Sequence, residues 1–119
     1  VVNGIETHFC PRCGQSTGLD GLGALGVNYC RALVLFPLVS KNPGLSGWEL
    51  AQLAGLPYGV AIKGTEKLRS MDAVKAIPED REQGGIRFRY FPYGDDLQAA
   101  QAWERLASVH DAAISRRPA

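Results

Sequence analysis

Three cysteines and two histidines carry the metal-binding and redox chemistry available to this 119-residue chain. Cys10 and Cys13 stand in HFCPRCG, a Cys-x-x-Cys followed by Gly14. At that spacing a tight turn sets two thiolates on one side, with backbone N–H groups able to point at the sulfurs, as in a zinc knuckle. A zinc site takes four ligands, so two more must come from elsewhere. Cys30 is the remaining cysteine, and His8 is the imidazole nearest in sequence. His8, Cys10, Cys13 and Cys30 could close a site within one chain. Alternatively, two chains could each give Cys10 and Cys13 to one shared ion, or the pair could work as a redox dithiol. The plainer alternative is a set of free buried thiols, and Cys30, inside an apolar run, reads as a core residue. His110 reads as a surface residue of the last helix rather than a ligand.

No other grouping supports catalysis. His8 and His110 are far apart, no Ser/His/Asp set is apparent, and no loop would cradle a phosphate. GLDGLGALG contains glycines but follows no clear strand, which makes it a poor dinucleotide signature. The chain therefore reads as non-enzymatic. A second chemical group is basic: Lys63, Lys67 and Arg69 lie in YGVAIKGTEKLRS, and Arg81, Arg87 and Arg89 lie in PEDREQGGIRFRYF. Such side chains contact phosphates and guanine edges, the plain alternative for each being a solvated surface charge.

The elements that must position these residues follow from caps and periods. Ser46 with Glu49 three residues on forms a capping box. Trp48, Leu50, Leu53 and Ala54 then recur at helical spacing, and Gly55 suits the helix end. Pro57 suits the first turn of a second helix, predicted to reach about Arg69 with Ala61, Thr65 and Leu68 facing inward. Two short helices joined by a tight glycine turn make a helix-turn-helix. Its second helix presents Tyr58, Ile62, Lys63, Glu66 and Lys67 outward, and Arg69 extends the patch. Val74, Ala76 and Ile77 suit a short strand. Ile86, Phe88 and Tyr90 alternate with Arg87 and Arg89, and between them lies a charged loop closed by Gly84-Gly85. This is a wing. Glu79, Asp80 and Glu82 surround Arg81 and should offset it, so Arg87 and Lys63 are the stronger candidates for DNA contact.

The run GWELAQLAGLPYGVAIKGTEKLRSMDAV, followed by IRFRYFPYGDDLQAA, resembles the DNA-binding part of PadR-type winged-helix repressors. In that family a GxEL helix leads into GLPSG, a recognition helix, a wing and an RRYYxLTxxG strand end. Gly47, Glu49, Leu50, Gly55, Leu56, Pro57, Gly59, Leu68, Arg89, Tyr90 and Gly94 fit that pattern, over about half the chain. Val60, Ala61, Gly64 and Thr65 depart from it. Gly64 inside a helix costs about 1 kcal/mol relative to Ala, which predicts a shorter or looser second helix. The resemblance implies double-stranded DNA as partner and a homodimer formed through a long C-terminal helix.

That helix is readable over Asp95 to about Arg117, where Ala99, Ala102, Trp103, Leu106, Val109 and Ala113 recur at three and four. Trp103, Leu106, Val109 and Ala113 are its dimerisation candidates, the alternative being that it folds back on the first helix of its own domain. That first helix is the apolar run Val27–Val39, in which Pro37 predicts a kink or an early end near Phe36. The fold class is therefore mainly α with a small β-hairpin (α+β). Residues 1–26 form a glycine-rich arm with the knuckle, 27–93 a winged helix-turn-helix, and 94–119 a dimerisation helix. The net charge of +1 does not by itself announce nucleic-acid binding, so local charge must carry that reading. No apolar run is long enough to span a bilayer and no signal peptide is apparent, which predicts a cytoplasmic, nucleoid-associated protein without a membrane partner. The leading expectation is a repressor-like, homodimeric, sequence-specific DNA-binding regulator. The alternatives are a winged-helix protein-interaction module and a thiol- or metal-responsive sensor. Nothing in the sequence identifies a small-molecule effector.

Overall fold

A computed structural model describes residues 8–21, 26–82 and 84–115. Its central element is helix α1 (Val27–Lys41), whose Cys30, Leu33, Leu35, Leu38 and Val39 are fully enclosed. Pro37 lies inside this helix and does not end it, which corrects the early end near Phe36 that the sequence offered beside a kink. A proline here costs about 3 kcal/mol. Leu38 and Val39 beyond it are both buried, and each contributes about 1.5–3 kcal/mol, enough to carry the helix onward.

Strand β1 (Leu45–Ser46) leads directly into helix α2 (Gly47–Ala54). The reciprocal Ser46–Glu49 bonds of the capping box start α2, and Gly55 ends it at φ 69°. Helix α3 (Tyr58–Ser70) follows, with Val60, Ala61, Gly64, Thr65 and Leu68 buried. It is full length, and Gly64 explains how. A Cβ at Gly64 would lie 2.5 Å from Leu35 Cδ1 and 3.1 Å from Arg31 Cβ, so the glycine lets α3 sit close against α1. The expected shortening is absent because packing outweighs helix propensity.

Strands β2 (Val74–Asp80) and β3 (Ile86–Pro92) form an antiparallel ribbon, and the sheet order is β1-β3-β2. The strand β2 runs through Pro78, Glu79 and Asp80, which the sequence reading placed in a loop. Pro78 is tolerated because β2 is an edge strand. In this register Glu79 stands opposite Arg87, and Ala76 opposite Tyr90. Tyr90 is buried, whereas Phe88 and Ile86 on the same face are exposed because the ribbon runs on past the core.

Helix α4 (Asp96–Ile114) starts from a reciprocal Asp95–Gln98 capping box and packs on α1 of the same chain. Phe36 and Trp103 stack with ring centroids 6.2 Å apart. Leu106 is fully enclosed and is a core residue of its own chain, not an interface residue. Trp103 and Ala113 are half-buried, leaving Val109 and Leu97 as the exposed large apolar side chains of this helix. Arg116 and Arg117, read as the helix end, lie outside the described residues. Four α-helices and one three-stranded antiparallel sheet, among the described residues, make an α+β architecture compatible with a winged-helix fold.

Candidate metal centre and helix-turn-helix surface

Residues 8–17 fold into a small hairpin that positions two of the thiols. Phe9 bridges Ser16, and the Cys10 N–H donates to Gln15 O at 2.9 Å. Gly14, at φ 79°, returns its N–H to Cys10 O at 3.0 Å. This turn sets Cys10 and Cys13 against the first turns of α1, where Cys30 lies 3.6 Å from Cys13, sulfur to sulfur. Across the gap α4 brings His110, whose Nε2 is 3.4 Å from Cys10 Sγ. The four ligand atoms of Cys10, Cys13, Cys30 and His110 all lie within 4.8 Å of one another. A tetrahedral zinc with bonds of ~2.3 Å to sulfur and ~2.0 Å to nitrogen has S···S edges of about 3.8 Å and S···N edges of about 3.5 Å. The measured 3.6 and 3.4 Å are close to those edges.

His110, not His8, is the imidazole of this group. His8 is exposed near Gly55, whereas His110 is 1% exposed, which corrects both its reading as a surface residue and the ligand set that contained His8. Cys30 is a core residue, as expected, and also part of the cluster.

The two buried thiols are driven in opposite directions, Cys10 toward thiolate and Cys30 toward thiol. Cys10 is pulled down to about 4, chiefly by the Cys30 thiol and further by backbone N–H groups of Cys13 and Arg12, against the opposing effect of burial. Cys30 is pushed up, because its proton is held by Cys10 and its surroundings are dry. Gln15 Nε2 donates to Cys30 Sγ at 2.9 Å. His110 Nδ1 lies 2.9 Å from Asp111 Oδ1. A carboxylate only accepts, so Nδ1 carries the hydrogen, and in the neutral ring this tautomer turns the lone pair of Nε2 toward Cys10 Sγ. Arg12 donates through Nε to Asp111 Oδ1 at 2.9 Å and through Nη2 to Oδ2, and this pairing holds the Asp111 carboxyl well below the usual range. The set of soft sulfurs and one imidazole suits a thiophilic cation. Arg31 fastens the arm separately, donating to the carbonyls of Thr17 at 2.8 Å and Gly18 at 3.1 Å.

The helix-turn-helix surface lies at a different place on the chain. Tyr58 opens α3 and is exposed; with Trp48, Arg81, Ile86, Arg87 and Phe88 it lines a groove of about 650 Å³ between α2, α3 and the wing. Further along α3, the Arg69 guanidinium lies 5.4 Å from the Phe88 ring, so helix and ribbon run side by side. Lys63 is exposed, 3.8 Å from Glu66. Two expected contacts turn back onto the protein. Lys67 is half-buried, its ammonium 4.6 Å over the Tyr29 ring, and Ile62 is half-buried with its Cδ1 where a Gly47 Cβ would sit. On the wing, Glu79 accepts from Arg87 at 3.0 Å and from Arg89 at 2.5 Å, and Arg89 also reaches Gly44 O at 2.7 Å. Glu79, one of the three acidic neighbours expected to offset Arg81, thus offsets Arg87 and Arg89. Among the described residues, Arg81 forms no ion pair.

No family model and no curated protein matches the chain, so the PadR-type resemblance stands on its motif residues alone. Among solved structures, a "possible transcriptional regulator" from Methanosarcina mazei Go1 is similar in fold, with a TM-score of 0.53 at 12% identity. The alignment covers 74% of this chain and 72% of that one. A likeness at this identity concerns the fold alone.

Proposed function

We propose that the chain is a non-catalytic, sequence-specific DNA-binding transcriptional regulator of the winged helix-turn-helix kind. The exposed start of α3 enters the major groove, and the wing lies on the flanking backbone. The observation that carries this reading is Tyr58 and Lys63 on the open face of α3, beside a groove whose far wall holds Arg81 and Arg87. The protein works as a homodimer on a pseudo-palindrome in the cytoplasm, associated with the nucleoid. With Leu106 committed to the core, that dimer forms through what α4 leaves open, Leu97, Val109 and the rim of Trp103. Each chain holds one zinc ion between Cys10, Cys13, Cys30 and His110, because one chain supplies all four ligands and a shared ion is not needed.

The test is a salt titration of duplex binding together with the mass of the protein. Affinity should fall as salt rises, and Lys63→Ala and Arg87→Ala should each lower the log–log slope by about 1. Absence of binding even at low salt, or affinity indifferent to salt, defeats the reading. One observation favours a second reading, a protein-docking module. Trp48 at 58% and Ile86 at 63% exposure make the groove apolar for a phosphate-contacting surface. Capture of a peptide in the groove without any duplex shift would select it.

A further inference from the structure

Helix geometry gives no reason for His110 and Asp111 to touch. Adjacent residues on a helix point about 100° apart and do not face each other. Here the two side chains nevertheless meet at 2.9 Å. The imidazole is enclosed at 1% exposure while the carboxylate stands half in solvent, so the contact draws a surface charge over a buried ring. Arg12 then closes on the same carboxylate with two N–H donors, a fork geometry that fixes both oxygens. Arg12 lies between Cys10 and Cys13, in the turn that presents both sulfurs. The chain of contacts therefore runs from one end of the thiol–imidazole group to the other: turn, guanidinium, carboxylate, imidazole, and back across 3.4 Å to Cys10.

We propose that Asp111 is a positioning residue of the metal centre, aiming His110 Nε2 at the cation through the Nδ1–H bond, and that Arg12 holds Asp111 there, so that the Cys-x-x-Cys turn and α4 close on the metal as one unit. This rests on the reading of Cys10, Cys13, Cys30 and His110 as the ligand set. A ligating histidine usually gives its other N–H to a carboxylate or carbonyl, which fixes the tautomer and the ring and strengthens the donor. Arg31 makes a control possible. Its bonds to Thr17 and Gly18 pin the arm to α1 without the metal ligands or Asp111, so docking of the arm and quality of the metal site can be changed separately.

The experiment is cobalt(II) titration of the full chain, followed by the visible absorption of the S3N site and by competition with zinc. Asp111→Ala should weaken cobalt binding by about 10–100-fold and alter the visible bands. Asp111→Asn keeps an acceptor oxygen for Nδ1–H and should recover most of both. Arg12→Ala leaves the imidazole–carboxylate bond intact and should lose less than Asp111→Ala. Far-UV circular dichroism tests folding of each chain; should Asp111→Ala not fold, Asp111→Asn and Arg12→Ala still decide. Wild-type affinity and spectrum in Asp111→Ala overturn the assignment. So does a loss of about 10-fold or more in both Asp111→Asn and Arg12→Ala, which would mark a plain structural ion pair. A wild-type chain that takes up no cobalt overturns the metal reading itself, a different result from a variant that binds as well as the wild type.

Discussion

The two candidate regions of this molecule handle polar groups in opposite ways. Around Cys10, Cys30 and His110 the groups are enclosed, and a buried charge is costly unless something opposite in sign is close by. The nearest guanidiniums, Arg12 and Arg31, are already committed to Asp111 and to the arm carbonyls. Along the wing the charged groups are a third to a half exposed, and Arg87, Arg89 and Glu79 pair with one another in water. Exposed pairs of that kind are worth ~0–1 kcal/mol and exchange partners readily. The first region is enclosed, with a donor set compatible with a cation inside the fold; the second lies open to solvent. On the proposed function, the contrast separates a stabilising region from a recognising one.

The contrast breaks most visibly by metal removal. A chelator, or Cys30→Ser, should lower the melting temperature and release the arm and α4 far more than any wing substitution, since structural zinc in small modules is worth ~10 kcal/mol or more of binding free energy. Melting curves with and without chelator are the measurement, and identical curves would remove the metal from the account of stability. An intermediate effect is expected at the junction, where α1 carries Cys30 and also takes α3 against Arg31 and Leu35. Gly64→Ala must displace Leu35 and the α1 backbone and should cost about 1–3 kcal/mol. Gly59→Ala meets nothing within 4 Å on the same helix and should be neutral or gain up to about 1 kcal/mol. Denaturant melts of the two chains give the sign of each. The smallest effect belongs to the wing. Glu79 is held below the ordinary carboxylate range, first by Arg87 and then by Arg89. Its contribution to stability is therefore complete above the unfolded-state pKa of about 4.3 and is lost as pH falls through the lowered value. Glu79→Gln should flatten that acid limb slightly, read as the difference between the melting temperatures of the two chains from pH 6 down to pH 3.

Local signals located most of the helix-turn-helix. The Ser46–Glu49 cap, the positive φ at Gly55 and the inward set Ala61, Thr65 and Leu68 depend on neighbours within four residues, and such patterns are written in sequence. The reading failed where a distant partner decided the outcome. Pro37 was expected to interrupt α1, but the burial of Leu38 and Val39 holds it in the helix. Glu79 was assigned to Arg81 by proximity along the chain, yet strand register sets it opposite Arg87. His110 is four residues after Leu106, on the stripe that packs against α1, so a clue to its burial existed. Nothing in its surroundings tied it to cysteines far away in the chain, Cys10 being 100 residues distant.

By itself, the sequence determined the kinds of ligand atom, the two helices with their turn, and the alternation of the wing. These follow from residue type and short-range periodicity. Only the tertiary structure decided which imidazole joins the thiols, which carboxylate holds it, and which face of α4 is inside. Those depend on α4 folding back across α1, and the free energy for that comes from side chains scattered along the whole chain.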